Sequence, residues 1–169
     1  HLSTEESGKQ VLRQALNEYL WNVTETTRPE FILIDCPPSL GQLSLNAILA
    51  SDSLIIPVQC EYYALEGLAG ILSSTTLLRQ SFNPRLSLEG ILLTMADRRL
   101  NLSRQVEEDI RRAYGAHVFQ TIVSRSVRLS EAPSHGLPII QYDPESAGAS
   151  AYQEITQEVI DHEAKSART

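Results

Sequence analysis

Four consecutive apolar residues followed by one carboxylate and two prolines constrain the fold of this chain more than any other stretch. Residues 31–38 read FILIDCPP. An uninterrupted apolar run is typical of a strand buried on both faces, in a parallel sheet covered by helices. The prolines prevent the strand from continuing. Because ligands of such sheets bind beyond the carboxyl ends of the strands, we predict that Asp35 lies at a ligand-binding edge.

The rest of the chain alternates between patterns typical of strands and of helices. We predict further strands at 53–58, 88–94, 118–123 and 138–142, and helices at 3–21, 43–50, 63–82, 102–114 and 147–163. This alternation implies parallel strands joined by right-handed crossovers. With 169 residues, 42% of them hydrophobic, the chain is long enough for one core. We therefore predict a single α/β domain over residues 1–169, with a mostly parallel sheet and helices on both faces.

Composition excludes some functions and leaves others open. The net charge of −7 argues against a uniformly basic nucleic-acid binder, yet seven of the fourteen basic residues lie between Arg98 and Arg128. Such a cluster fits a phosphate-binding face, and a solvated helix face is the alternative. The sequence has no apolar run that could cross a bilayer. Two cysteines without framework spacing predict reduced, buried thiols, and four scattered histidines give no metal-ligand spacing.

Asp35 alone has two interpretations. A carboxylate at a strand end can cap the helix that follows. It can also occupy the place of a Walker B aspartate, which orients a Mg²⁺-bound water in nucleotide-hydrolysing proteins. The complementary phosphate-binding motif, G-x-x-x-x-G-K-[ST], is absent from these 169 residues.

Three stretches together resemble one family. They are FILIDCPPSLGQLSLNAILASDSLIIPVQCEYYALEGL, GILLTMADRRLNLS and SVRLSEAPSHGLPIIQYDPESAGASAYQEI. They resemble the ParA/Soj group of chromosome- and plasmid-partitioning ATPases, in the deviant Walker P-loop class that also contains MinD. The resemblance spans roughly residues 31–160. It implies a P-loop NTPase-like fold whose first strand and Gly-rich loop are missing from this chain.

The resemblance also implies roles for individual residues. Asp35 matches the catalytic Walker B aspartate, which holds Mg²⁺ through water. Met95, Ser124 and Arg125 lie where the family contacts adenine, although the family usually has proline at the position of Ser124. The segment with Glu61, Tyr62 and Glu66 lies where two ATP-bound subunits face each other. Arg99 and Arg128 match arginines that bind DNA without reading its sequence, and Arg98 and Arg104 are adjacent.

From this resemblance we expect the C-terminal two-thirds of a partitioning ATPase, truncated in the gene or as a piece of a longer chain. The intact protein is expected to bind ATP and Mg²⁺, form a homodimer, bind DNA and respond to a ParB-type centromere-binding partner. It would act in the cytoplasm, on the nucleoid and not at a membrane. This chain alone is expected to be inactive and to bind neither cofactor tightly, because the P-loop amides supply most phosphate affinity. The alternative is a non-catalytic regulatory module that pairs with intact ATPase subunits through residues 59–67.

Overall fold

The computed structural model describes residues 10–37 and 41–166, which divide into two compact units. The first contains the described residues up to Leu54 together with Ser74–Ser87. The second contains Ile55–Ser73 and the described residues from Leu88 onward. The single domain over residues 1–169 remains a prediction.

Seven α-helices and two strands form the regular structure of the described residues. The helices are α1 (Val11–Asn22), α2 (Gln42–Ala50), α3 (Ala64–Ser81), α4 (Asn101–Tyr114), α5 (Val127–Glu131), α6 (Ile139–Tyr142) and α7 (Ala147–Ser166). The strands are β1 (Ser53–Gln59) and β2 (Ser87–Thr94), and single 3₁₀ turns cover Gly115–His117 and Ala132–His135. The alternation of strands and helices confirms the predicted α/β class.

The strands run parallel. The N–H of Cys60 donates to the carbonyl of Thr94 at 3.0 Å, just beyond the end of β1. On its other side, β2 is joined by isolated parallel bridges from Ile91 to Val118 and from Ala96 to Ser124. The strand predicted at 118–123 is thus reduced to an irregular segment, which is hydrogen-bonded to β2 through the N–H groups of Phe119 and Val123.

The core of the second unit forms where α7 covers this segment and β2. Its buried apolar residues are Leu92, Phe119, Val123, Ala151 and Ile155, with Ile55, Leu129 and Val159 packed around them. Burial of these side chains is the main force that holds β2, the 118–125 segment and α7 together. This packing fixes the positions from which the loops after β2 and after Val123 project.

In the first unit, α1 packs against α2, and one buried amide fixes the end of α2. The side-chain amide of Asn83 donates to the carbonyls of Ser51 at 2.8 Å and Ile48 at 3.3 Å. The last carbonyls of a helix have no partner within it, so Asn83 satisfies groups that burial would otherwise leave unpaired. Asn83 is only 1% exposed.

The strand predicted at 31–35 is wrong for this structure. Residues 31–37 have no regular structure, and the side chain of Leu33 is 86% exposed. No described strand pairs with this segment. An apolar run forms a buried strand only when neighbouring strands receive its N–H and C=O groups, and the described residues provide none. Cys36, predicted to be buried, is exposed with it, whereas Cys60 is buried as predicted.

The strand predicted at 138–142 is also wrong, because this stretch forms the short helix α6. Pro138 stands at its N-cap, and the Pro138 carbonyl accepts the N–H groups of Gln141 and Tyr142 at 2.9 Å each. Adjacent Ile139 and Ile140 suggested a strand, but a proline with fixed φ favours the first turn of a helix. The capping box predicted from Ser3 and Glu6 lies outside the described residues.

Candidate functional site

Asp35 lies in the first unit, in the irregular segment 31–37, and it is exposed. Its neighbour Cys36 has a raised pKa, caused first by burial and then by the negative charge of Asp35. The other residues predicted to take part in the site belong to the second unit.

The residues predicted to contact adenine lie close together in space. Met95 directly follows β2, and Ser124 and Arg125 directly follow Val123. Met95 has a φ of +54°, the left-handed region that non-glycine residues seldom adopt. The next residue, Ala96, pairs with Ser124, and its carbonyl accepts the N–H of Arg125 at 2.9 Å. The main chain thus holds Met95, Ser124 and Arg125 at one edge of the second unit. Unusual backbone of this kind is found most often at functional sites.

Arg99, a predicted DNA-binding residue, is exposed yet held in place. Its side chain is 88% exposed, while its partner Asp97 is 16% exposed. The Nε of Arg99 donates to Oδ1 of Asp97 at 2.9 Å, and Nη2 donates to Oδ2 at 2.7 Å. These bonds lower the pKa of Asp97 to about 2. A two-point pair of this kind fixes the plane of the guanidinium.

Arg128, the second predicted DNA-binding residue, is also held by carboxylates. Its Nη1 lies 3.2 Å from Oε2 of Glu131, and its Nε lies 3.3 Å from Oδ2 of Asp143. The Tyr142 hydroxyl donates to the same Oε2 at 3.2 Å. The side chain of Arg128 remains 58% exposed. Arg128 therefore presents its charge to solvent from a fixed position on α5.

The remaining arginines of the basic segment differ in their surroundings. Arg111 donates to Glu107 Oε1 and to the carbonyls of Phe119 and Gln120, each at 3.1 Å, so it braces α4 against the following segment. Arg112 pairs with Asp109 at 2.8 Å. The cluster in the sequence therefore contains both structural and exposed cations, and Arg99 and Arg128 are among the exposed ones.

Two of the other cations stay exposed, and both were placed beside the DNA face. Arg104 donates to the side-chain carbonyl of Asn101 on the same helix. Arg98 is exposed in the turn before α4. Neither residue contacts the carboxylate of Asp97, because both of its oxygens accept hydrogen bonds from Arg99.

Two of the three residues predicted to form a dimer face border an apolar groove of about 600 Å³ in the second unit. Glu61 and Tyr62 line it, with Tyr63, Leu68 and Leu102. Tyr62 and Tyr63 are 73% and 74% exposed, and their rings meet edge to face at 5.0 Å. Two adjacent tyrosines in solvent, beside apolar surface, are typical of protein contact sites.

The dimer-face segment and the adenine-side loop touch through one ion pair. Glu61 Oε1 lies 3.6 Å from Nη2 of Arg125, and both side chains are more than half exposed. Glu66 lies on the exposed side of the first turn of α3. The structure thus brings Glu61 to Arg125, while Glu66 has no contact of this kind.

Within 10–37 and 41–166, no three His, Cys, Asp or Glu side chains cluster as metal ligands. A lone carboxylate such as that of Asp35 holds Mg²⁺ only together with phosphate oxygens and water. In the same part of the chain no helix is long and apolar enough to span a membrane.

Three carboxylates that form ion pairs with Arg99 and Arg128 were not predicted from the sequence, namely those of Asp97, Glu131 and Asp143. Two of them had a local signal. Arg128 and Glu131 are three residues apart on one helix, a spacing that favours ion pairs. Asp97 stands two residues before Arg99, and an aspartate side chain often accepts a hydrogen bond from the backbone N–H two residues further along the chain. Asp143 is distant along the chain from Arg128, and only the fold reveals their contact.

Solved structures with the same fold define the class of protein. Cobyrinic acid a,c-diamide synthase from Mycobacterium smegmatis, with bound ADP and magnesium, matches with a TM-score of 0.71 and 30% identity, over 92% of this chain and 54% of that chain. The cell division ATPase MinD from Pyrococcus furiosus, 21% identical, matches with a TM-score of 0.66 over 90% of this chain and 58% of its own. The fold is that of the P-loop NTPases.

Sequence comparisons identify the family to which the chain belongs within the P-loop NTPase class. A family model described as an AAA domain matches residues 2–88. Soj from Bacillus subtilis, a sporulation initiation inhibitor protein, is 55% identical over 130 residues, which cover 77% of this chain and 51% of Soj. The chromosome partitioning protein ParA of Myxococcus xanthus is 53% identical over 131 residues, covering 78% of this chain and 46% of that protein. The chain belongs to the ParA/Soj family of partitioning ATPases, within this AAA-domain family. It spans about half the length of these relatives.

Proposed function

We propose that this chain is the part of a partitioning ATPase that follows the phosphate-binding loop. The intact protein binds ATP with Mg²⁺, dimerises, binds DNA without reading its sequence and acts on the nucleoid, in the cytoplasm. A ParB-type partner stimulates its hydrolysis of ATP. The observation that carries this proposal is the 53–55% identity to Soj and ParA over more than three-quarters of the chain.

Exposed arginines support the DNA-binding part of the proposal. Arg99, in the turn before α4, and Arg128, on α5, both present charge to solvent in the second unit, while the chain as a whole carries a net charge of −7. Cations that contact phosphates give affinity that depends on salt and not on sequence. A localised basic site on an acidic protein is what reversible binding to any DNA requires.

The groove beside Tyr62 and Tyr63 supports dimerisation. Buried aromatic side chains provide much of the binding energy at protein interfaces, and these two rings are available for burial. Glu61 joins this face to Arg125 on the adenine side. Occupation of the nucleotide site can therefore alter the dimer face through one ion pair.

Nucleotide binding is proposed for the intact protein. Met95, Ser124 and Arg125 would contact the adenine, and Asp35 would hold Mg²⁺ through water with phosphates bound by the preceding loop. The structure of the similar diamide synthase contains ADP and magnesium. Nothing in the described residues replaces the P-loop amides, so this chain alone is not expected to bind ATP tightly.

A chimera tests the proposal directly. The residues of B. subtilis Soj that precede the matching segment would be joined to this chain, and duplex DNA binding would be titrated with ATP over a range of salt. Arg99→Ala combined with Arg128→Ala should abolish DNA binding at physiological salt and lower the salt slope by about two. ATP binding, measured by calorimetry, should be unchanged.

Arg79→Ala combined with Arg85→Ala removes the same charge from outside the basic segment and should leave DNA affinity nearly unchanged. An unaltered salt titration of the Arg99/Arg128 double variant would refute the DNA assignment. A chimera that binds no ATP but still associates with intact Soj through residues 59–67 would favour the regulatory module instead.

A further inference from the structure

We propose that Asp97 is the positioning residue for Arg99 in DNA binding. Its carboxylate holds one edge of the guanidinium so that the adjacent edge meets a backbone phosphate. The inference rests on the proposed function, because it names how one predicted DNA contact is prepared. It assigns a role to an acidic residue at a site whose ligand is itself an anion.

The geometry of the pair leaves the outer edge of Arg99 available. Nε and Nη2 donate to the two oxygens of Asp97, while Nη1 takes part in neither bond. A guanidinium carries five N–H groups in a planar fork, so the edge formed by Nη1 and Nη2 can still bind a phosphate at two points. Asp97 and a phosphate would then occupy adjacent edges of one guanidinium and share its Nη2 group.

Asp97 is itself fixed by its surroundings. Its N–H donates to Oγ of Ser103 at 3.1 Å, and Ser103 is 5% exposed on α4. Its carbonyl accepts the N–H of Leu100 at 3.0 Å, which closes the turn. Its Oδ1 also accepts the N–H of Arg99 at 3.1 Å. Asp97 therefore anchors the side chain of Arg99, which is 88% exposed, to α4 and to the end of β2.

Charge and positioning predict opposite effects for loss of this carboxylate. By charge alone, removal of an anion near the DNA should strengthen binding, because Asp97 repels phosphates. If Asp97 positions Arg99, its removal frees a long side chain that must be ordered again when DNA binds. Ordering one such side chain costs enough to weaken binding by about three- to tenfold. The sign of the change separates the two effects.

The experiment measures binding of a fluorescent DNA duplex to the Soj chimera in the presence of ATP, by anisotropy at low salt. Asp97→Asn keeps the size of the side chain and raises the net charge by one. Glu108→Gln, at an exposed position of α4, makes the same change of charge away from Arg99 and is the matched control. We expect weaker binding for Asp97→Asn, equal or stronger binding for Glu108→Gln, and the largest loss for Arg99→Ala.

A second measurement does not depend on DNA. In the unsubstituted chain, NMR should detect a slowly exchanging Nε–H signal that disappears in Arg99→Lys, and Asp97→Asn should speed its exchange. A merely structural role for Asp97 would leave this signal unchanged in a folded variant. A chain without any protected signal from Arg99 overturns the proposal, whatever the variants do.

The outcomes separate the two claims. If Arg99→Ala weakens binding but Asp97→Asn strengthens it as Glu108→Gln does, the positioning role is wrong and the DNA site stands. If the chimera with ATP does not bind DNA, or its Arg99→Ala variant binds as well as the unsubstituted chimera, the DNA site is wrong and the positioning role falls with it.

Discussion

The ring of Phe119 lies directly against the backbone of Gly90, so that a Cβ added at position 90 would stand 2.5 Å from Cε2 of the ring. Phe119 is 1% exposed and packs in the core of the second unit, where it has little room to move. Gly90→Ala should therefore lower the free energy of unfolding by about 1–3 kcal/mol. Urea denaturation followed by circular dichroism measures the change.

The control for this substitution is Gly70→Ala in α3, where an added Cβ meets no atom within 4 Å. Alanine is the better helix former, so this variant should gain about 0.5–1 kcal/mol. If both variants lost stability equally, the close contact between Gly90 and Phe119 would not be the cause.

Glu158 makes stability depend on pH. Burial raises the pKa of this carboxyl, but hydrogen bonds from Thr121 and Gln120 and the nearby His162 outweigh it, so the pKa lies below 4.5. The N–H groups of Gln120 and Thr121 donate to its two oxygens at 2.8 Å each. Because the folded pKa is lowered, the stabilisation is complete above pH 4.5 and is lost as the pH falls through the folded value.

Glu158→Gln should accordingly destabilise the chain by about 1–2 kcal/mol at neutral pH, since charged acceptors form the stronger hydrogen bonds. The difference from the unsubstituted chain should shrink as the pH falls below 4.5. Glu163→Gln, at an exposed position of the same helix, is the control. A difference that stays constant from neutral to acidic pH would contradict this account.

Asn83 should be sensitive to truncation. Asn83→Ala removes the side-chain donor to the carbonyl of Ser51 and one of the two donors to the carbonyl of Ile48, which keeps the N–H of Ser51 at 3.4 Å, and we expect a loss of about 1–3 kcal/mol. Gln80→Ala, on the exposed side of α3, should change stability little. Thermal unfolding of both variants compares them, and equal melting temperatures would exclude a structural role for the Asn83 amide.

Met95 allows backbone strain to be separated from ligand contact. Met95→Gly relieves the left-handed backbone, so stability should stay the same or rise by up to about 1 kcal/mol even though a side chain is lost. In the Soj chimera the same variant should bind ATP more weakly, because the proposed adenine contact is gone. A large loss of stability would show that the side chain of Met95 has a packing role.

The parts of the fold that follow from local signals were predictable. Helix α4 ends at Tyr114 because Gly115, with a φ of +50°, can leave the helix there, and the sequence shows that glycine. Strand β2 is apolar, buried and correctly predicted to within one residue. In each case the residues that decide the structure lie within the element or directly beside it.

The wrong predictions depend on partners that are distant in sequence or absent from the described residues. The segment 31–35 is as apolar as β2 but finds no neighbouring strand, so hydrophobicity alone does not order it. Leu102 has the apolar spacing of buried Val106 and Ile110 on α4, yet it is 50% exposed, whereas the polar Ser103 is buried. The Ser103 hydroxyl accepts the N–H of Asp97, a contact that apolar periodicity does not encode.

The candidate site, too, depends on contacts between residues that are distant in sequence. The resemblance suggested Arg99 and Arg128 by position, and their roles stay predictions. Among the carboxylates that hold them, Asp97 and Glu131 had a local spacing signal, whereas the contact of Asp143 with Arg128 became visible only from the fold.

Arg111 serves three acceptors on two segments at once, and this has a consequence for protein engineering. A lysine there would conserve the formal charge, but its single ammonium group cannot span acceptors set so far apart around a planar fork. A library that exchanges arginine for lysine to tune solubility would therefore keep the surface charge at this position. It would weaken the hydrogen bonds that hold α4 to the main chain at residues 119–120.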